Sequence, residues 1–157
     1  MNDGDAVLTY KRRGNWYLRG VGGQPYFGRE GLTWALIADT LDVRYLPAGY
    51  ILDSGAPCAF VRQGVSPDEL YFVMGWTLTR ACSQILKQVI NHTRNIQSKD
   101  FERLPYPYWA ANVRERVIES VKALIACARG QGRLFTRESV EIRELDRLFE
   151  PPWLERD

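Results

Sequence analysis

The chain has 157 residues, 45% of them hydrophobic and 25% charged, with a formal net charge of +2 at pH 7. This is enough chain to bury a core, and the balance excludes a disordered or low-complexity polypeptide. No run of about 18 apolar residues occurs, which excludes a membrane-spanning helix of the usual kind.

Its three cysteines, Cys58, Cys82 and Cys127, are widely spaced and odd in number. No disulfide framework is expected, and a reducing cytoplasm is the expected location. Met1–Leu8 is acidic and lacks the apolar core of a signal peptide. The charge is unevenly spread. Residues 9–29 carry Lys11, Arg12, Arg13, Arg19 and Arg29, interleaved with Tyr10, Trp16, Tyr17, Tyr26 and Phe27, and no acidic side chain. From residue 109 onward nine basic residues balance nine acidic ones. The asymmetry fits either a polyanion held by the first half or a charged strand face with no acidic partner.

In chain order, "AVLTY" and "NWYLRG" read as strands joined by a basic turn at Lys11–Gly14, and residues 20–31 read as a loop. "LTWALIAD" is ambiguous between strand and short helix. "VRYL" and "YILD", separated by Pro47-Ala48-Gly49, predict a hairpin, and "PCAFV" a further strand. Ser66, Pro67 and Glu69 then form a capping-box pattern, followed by apolar residues at Leu70, Val73, Met74, Leu78, Ala81, Ile85, Leu86 and Val89. That spacing predicts one helix of about six turns. The prolines of "LPYPYW" stop it. Two more helices are expected over 112–129 and 136–149, the first stopped by Gly130 and the second by Pro151-Pro152.

The expected fold is therefore α+β: a small mixed, twisted sheet, a long helix, a proline-containing loop and a C-terminal antiparallel helix pair. Residues 1–108 form the α+β domain. Residues 109–157 form a helical extension packed on it or on a partner.

No catalytic constellation emerges. His92 is the single histidine and stands far from the cysteines, without metal-ligand spacing. Asp39, Asp42 and Asp53 sit near turns, where aspartate bonds its own backbone. Gly20–Gly23 lacks the strand–helix setting of a dinucleotide loop. Glu150-Pro151-Pro152-Trp153 has a glutamate at its head and follows a helix, so it reads as a helix stop. Binding is the better reading than catalysis.

The segment "NHTRNIQSKDFERLPYP" (91–107) is equipped to bind. Asn91, Asn95 and Gln97 carry donors and acceptors, Arg94 and Lys99 carry charge, and Ile96 and Phe101 can anchor it to a core. Amides match adenine edges, and cations match phosphates. Together with "GLTWALIAD" (31–39), "VRYLPAGYILDSGAPCAFV" (43–61) and the helix over 66–89, this ordered set resembles the C-terminal target-recognition domain of large N6-adenine DNA methyltransferases. Those enzymes serve restriction–modification and BREX-type phage-defence systems. The resemblance covers about residues 25–108 and, more loosely, the C-terminal helices. His92 stands where that family often has proline, and Tyr106 where it often has isoleucine. The family's catalytic domain is not in this chain.

The resemblance implies a DNA-recognition module, a part or fragment of a site-specific adenine methyltransferase. Its partners would be double-stranded DNA and a methyltransferase catalytic domain or subunit. S-adenosylmethionine would be bound by that missing domain, with no cofactor and no small-molecule substrate in this chain. Lys11, Arg12 and Arg13 read as phosphate contacts or as an exposed solubility turn. Arg19 and Arg29 flank the glycine loop. Trp34 reads as a core residue more than a stacking one. Arg44 faces DNA or pairs with Asp42. Arg94, Asn95, Gln97 and Lys99 complete the nucleic-acid-binding set. A motif shared by proteins that read different sites cannot itself discriminate bases, so Thr93–Gln97 is expected mainly as scaffold, with readout from residues 9–30. The alternative is a protein-interaction or assembly module docking through its C-terminal helices.

Overall fold

The computed structural model describes residues 24–52, 55–108, 110–131 and 140–149. The two predicted strands before residue 20, with Lys11, Arg12, Arg13 and Arg19, lie outside the described residues, as does residue 150 onward.

The fold is α+β. Strands β1 (Gly31–Thr33), β2 (Arg44–Leu46) and β3 (Cys58–Ala59) form a sheet in the order β2-β1-β3. Both pairings are antiparallel, with Thr33 facing Arg44 on one side and Cys58 on the other. The sheet is thus antiparallel throughout the described residues, not mixed. The predicted VRYL/YILD hairpin does not form. After β2 the chain turns at Gly49, which has φ +95°. Gly49 N–H donates to Gly28 O at 3.0 Å, and Gly28 N–H (φ +72°) to Tyr50 O at 3.2 Å. Both glycines hold a left-handed conformation that other residues adopt at a cost. That exchange carries Tyr50 onto the start of the sheet instead of back along β2.

The predicted long helix is broken in two. Helix α1 spans Asp68–Thr77 and α2 spans Arg80–Ile85, with a π turn over Leu86–Ile90. Thr79 between them is extended, at φ −71° and ψ 153°. The cause is local competition for backbone bonds by hydroxyls. Thr77 Oγ1 donates to Val73 O and Met74 O at 2.9 and 3.0 Å, and Thr79 Oγ1 to Trp76 O at 2.7 Å. Thr79 Oγ1 also accepts from Cys82 N–H at 3.2 Å, capping α2. At the start of α1, Ser66 Oγ accepts from Asp68 N–H, as a cap should. Glu69 does not close the expected box, because Arg114 and Tyr106 take its carboxylate.

A short helix α3 (Ser98–Glu102) follows, then the irregular proline segment, α4 (Ala111–Gln131) and α5 (Val140–Phe149). Helix α4 continues past Gly130, the predicted stop. Glu144 stands beside Ser120, Ala123 and Cys127. Phe149, at the far end of α5, reaches Phe72, the ring over which Arg114 lies. Helices α4 and α5 therefore run in opposite directions, as expected. Their apolar stripe, Val117, Val121, Leu124, Leu145 and Phe149, is buried together with Leu70, Phe72, Met74 and Trp76 of α1. One core thus joins the C-terminal helices to the rest of the chain. No helix among the described residues is long and apolar enough to cross a membrane.

Candidate nucleic-acid interface

Beyond β1, Ile37 forms an isolated antiparallel bridge with Asn95. Ala38 N–H donates to Arg94 O at 2.9 Å, and Ile96 N–H to Leu36 O at 2.7 Å. Trp34 and Ile96 are both buried, and the Trp34 indole N–H donates to Ile96 O at 3.1 Å. Lys87, placed by the π turn, spans the two segments, with Nζ donating to Ala38 O at 2.9 Å and Thr93 O at 2.8 Å. The "GLTWALIAD" and "NHTRNIQ" stretches, far apart in sequence, are one structural unit.

Of the three amides, Asn91, just outside the Thr93–Gln97 stretch expected as scaffold, is the one most engaged in the fold. Asn91 Nδ2 donates to Asn95 O and to Asp100 Oδ2, both at 2.7 Å. Asn91 Oδ1 accepts from Thr93 N–H at 2.8 Å and Thr93 Oγ1 at 2.7 Å. Gln97 and Asp100 cap α3, with Gln97 N–H donating to Asp100 Oδ2 at 2.9 Å. Asn95 is different. Its backbone is bonded, but its exposed side-chain amide makes no hydrogen bond among the described residues. His92 Nδ1 lies 2.9 Å from Lys87 O, which fits a polar loop side chain.

The described cations do not converge on one seat. Arg94 is paired with Asp39 at 2.7 Å, both side chains in water. Lys99 is exposed on α3. Arg29 lies beyond β3, where it donates to Val61 O at 2.8 Å and sits over the Tyr26 and Phe60 rings. Arg44 is exposed on β2, at the opposite edge of the sheet. Asp42 accepts from Thr40 Oγ1 at 3.1 Å.

Sequence reading missed a wide groove of about 1280 Å³ between β3, α1 and the proline segment. Leu32, Leu70 and Trp76, all buried, line it with Phe60, Arg29 and Arg62. Tyr106 stands at its side, its hydroxyl donating to Glu69 Oε1 at 2.6 Å and accepting from Arg114 Nη1 at 2.8 Å. Burial, then the Glu69 hydrogen bond, raises the Tyr106 phenol above its ordinary value. The Pro-Tyr-Pro-Tyr run was a visible signal for an exposed aromatic surface, because prolines keep the backbone out of helix and sheet. Tyr108 is 95% exposed and meets Tyr106 edge-on at 5.8 Å. Among the described residues no grouping of His, Cys, Asp and Glu can hold a metal ion.

No family model matches this chain, and no curated protein matches it.

Proposed function

We propose that this chain is a DNA-sequence-recognition module for an adenine-specific (N6) DNA methyltransferase, serving restriction–modification or phage defence. The methyl donor and the chemistry belong to a separate catalytic domain or subunit. The observation that carries the reading is the joining of two landmarks of the resemblance, residues 31–39 and 91–97, into one braced unit by the Ile37–Asn95 bridge, Trp34 and Lys87. Such bracing is what a recognition surface needs, because contacts held in place before binding cost less to order on binding. Arg94 and Lys99 border that unit, and Arg29 and Arg62 border the groove. These are the phosphate-contact residues on this reading, together with Lys11, Arg12, Arg13 and Arg19.

The test is binding of the full chain to duplex DNA across a salt series. The logarithm of affinity should fall linearly with the logarithm of salt, with a slope of about 0.9 per phosphate contact. Lys11, Arg12 and Arg13 changed together to alanine should weaken binding to all sequences alike. A slope near zero at low salt overturns the reading.

The groove and the exposed Tyr106–Tyr108 pair favour a second reading, an assembly module of a defence or modification complex. The apolar stripe of α4 and α5 no longer motivates it, since α1 covers that stripe. Co-elution with a partner subunit but not with a DNA duplex on size exclusion would support it.

A further inference from the structure

We infer that the paired segments around Ile37 and Asn95 form a base-reading ribbon, with the Asn95 amide meeting an adenine and the Ile37 side chain meeting a thymine methyl group. The inference rests on the DNA-binding reading above and assigns it a specific contact.

The geometry begins with the bridge. The bonds Ala38 N–H to Arg94 O and Ile96 N–H to Leu36 O flank Ile37 and Asn95 on either side. That pattern makes Ile37 and Asn95 a pair that exchanges no hydrogen bond of its own, the closer of the two antiparallel arrangements. Side chains directly opposite in such a pair share one face. Here the shared face is the outer one: Ile37 and Asn95 are exposed, while of the alternate residues Leu36 and Ala38 are half-buried and Ile96 is fully buried, and Arg94 reaches into water to pair with Asp39. An aliphatic side chain 67% exposed to water therefore stands against an amide with no bond within the described residues. Neither is used by the fold: the core is filled by Ile96 and Trp34, and the loop's amide duties fall to Asn91.

The chemistry of the two side chains is specific. An asparagine amide can accept from adenine N6 and donate to N7 at once, and an apolar side chain is the usual partner of the thymine methyl. A two-stranded ribbon is also of a size the major groove admits. Lys87 and Trp34 fix both strands from behind, so the pair is held in place before any ligand arrives. Lys99, two residues beyond the ribbon, is exposed for a phosphate. One such contact reads a single base-pair position. It leaves the discrimination among sites to residues 9–30, as the sequence suggested.

The experiment selects duplexes from a randomised pool with the full chain, then with Asn95→Ala and Ile37→Ala, with thermal unfolding run on each variant. The wild-type pool should hold one fixed A·T position that relaxes in both variants while melting is unchanged. Replacing that thymine by uracil, which lacks the methyl, should weaken wild-type binding about fourfold, the worth of one buried methyl group. It should leave Ile37→Ala indifferent. A wild-type pool with no fixed A·T position, or one that both variants retain, overturns this inference and leaves the DNA-binding reading standing. A wild-type chain that retains no DNA at low salt overturns both.

Discussion

Trp34 and Phe101 lie face to face, their ring centroids 4.4 Å apart and their planes 10° from parallel. This stack clamps the segment after β1 to helix α3, and it leaves the indole N–H free to donate to Ile96 O. Ring area and hydrogen bond are separable. Trp34→Phe should retain most of the packing but strand a buried carbonyl, at a cost of about 1–3 kcal/mol. Trp34→Ala should cost about 3–5 kcal/mol. Urea unfolding followed by far-ultraviolet circular dichroism ranks the two, and a Trp34→Phe midpoint equal to that of wild type would show that the hydrogen bond matters little.

Asn91 organises the loop by donating to Asn95 O and Asp100 Oδ2 while accepting from Thr93. Asn91→Asp removes the donors and sets a second carboxylate against Asp100. Two such carboxylates share a proton, which raises the folded-state pKa of one of them. A raised folded value means that stability is present at acid pH and lost as pH rises through that value. The variant should therefore fall furthest behind wild type at neutral pH and recover part of the gap on acidification. A gap that does not depend on pH would contradict this account.

Gly75 lies where α1 crosses α4 and α5. A Cβ built there would stand 2.5 Å from Val117 Cγ1 and 3.2 Å from Val121 Cγ2. In an exposed helix, glycine to alanine gains up to about 1 kcal/mol. Here overpacking against a stiff β-branched side chain should win, so Gly75→Ala is expected to destabilise by about 1–3 kcal/mol. Combining it with Val117→Ala should cost less than the sum of the single changes, a coupling that a double-mutant cycle measures.

Tyr45 and Tyr71 both donate their hydroxyls to Glu30, at 2.7 and 3.2 Å. Burial first, and then the Glu30 carboxylate, push the Tyr45 phenol up to about 12. The folded state thus holds this proton when the unfolded chain, near 10, has begun to lose it. Stability conferred by that difference is complete below pH 10 and is lost as pH rises toward 12. Melting temperatures of wild type should drop through this window more steeply than those of Tyr45→Phe. Tyrosinate absorbance on alkaline titration provides an independent check.

Helix periodicity and proline made α1, α4 and α5 legible in the sequence, because burial of one stripe per helix leaves a pattern that local context seldom disguises. The break at Thr79 was not legible. It depends on Thr77 and Thr79 turning their hydroxyls back to the helix, a choice made by side-chain rotamers and not by hydropathy. The false hairpin over 43–53 failed for a related reason: Pro47-Ala48-Gly49 does mark a turn, but Gly28, distant in sequence, decides where the turn leads. Of the candidate site, the anchoring of Ile96 and Phe101 was readable from their apolar character. Which amide is spent on the fold and which is presented was not, since Asn91 and Asn95 are chemically the same and differ by their neighbours in space. Arg94 read as a free cation because Asp39 is remote along the chain.

The Ile37–Asn95 bridge joins residues with the whole of α1 and α2 between them. The stretch after β1 is bonded nearer in sequence by Trp34 N–H to Pro57 O at 3.3 Å and Leu36 N–H to Gly55 O at 3.2 Å, but its bridge at Ile37 cannot form until that long loop has closed. Ordering a loop of this kind precedes the contacts that reward it, and it slows refolding relative to a bundle built from neighbours. A nascent chain released before residue 96 would hold Trp34 uncovered, an adhesive surface during synthesis. Formation of the ribbon is thus a late event, and an incomplete translation product would be a substrate for chaperones.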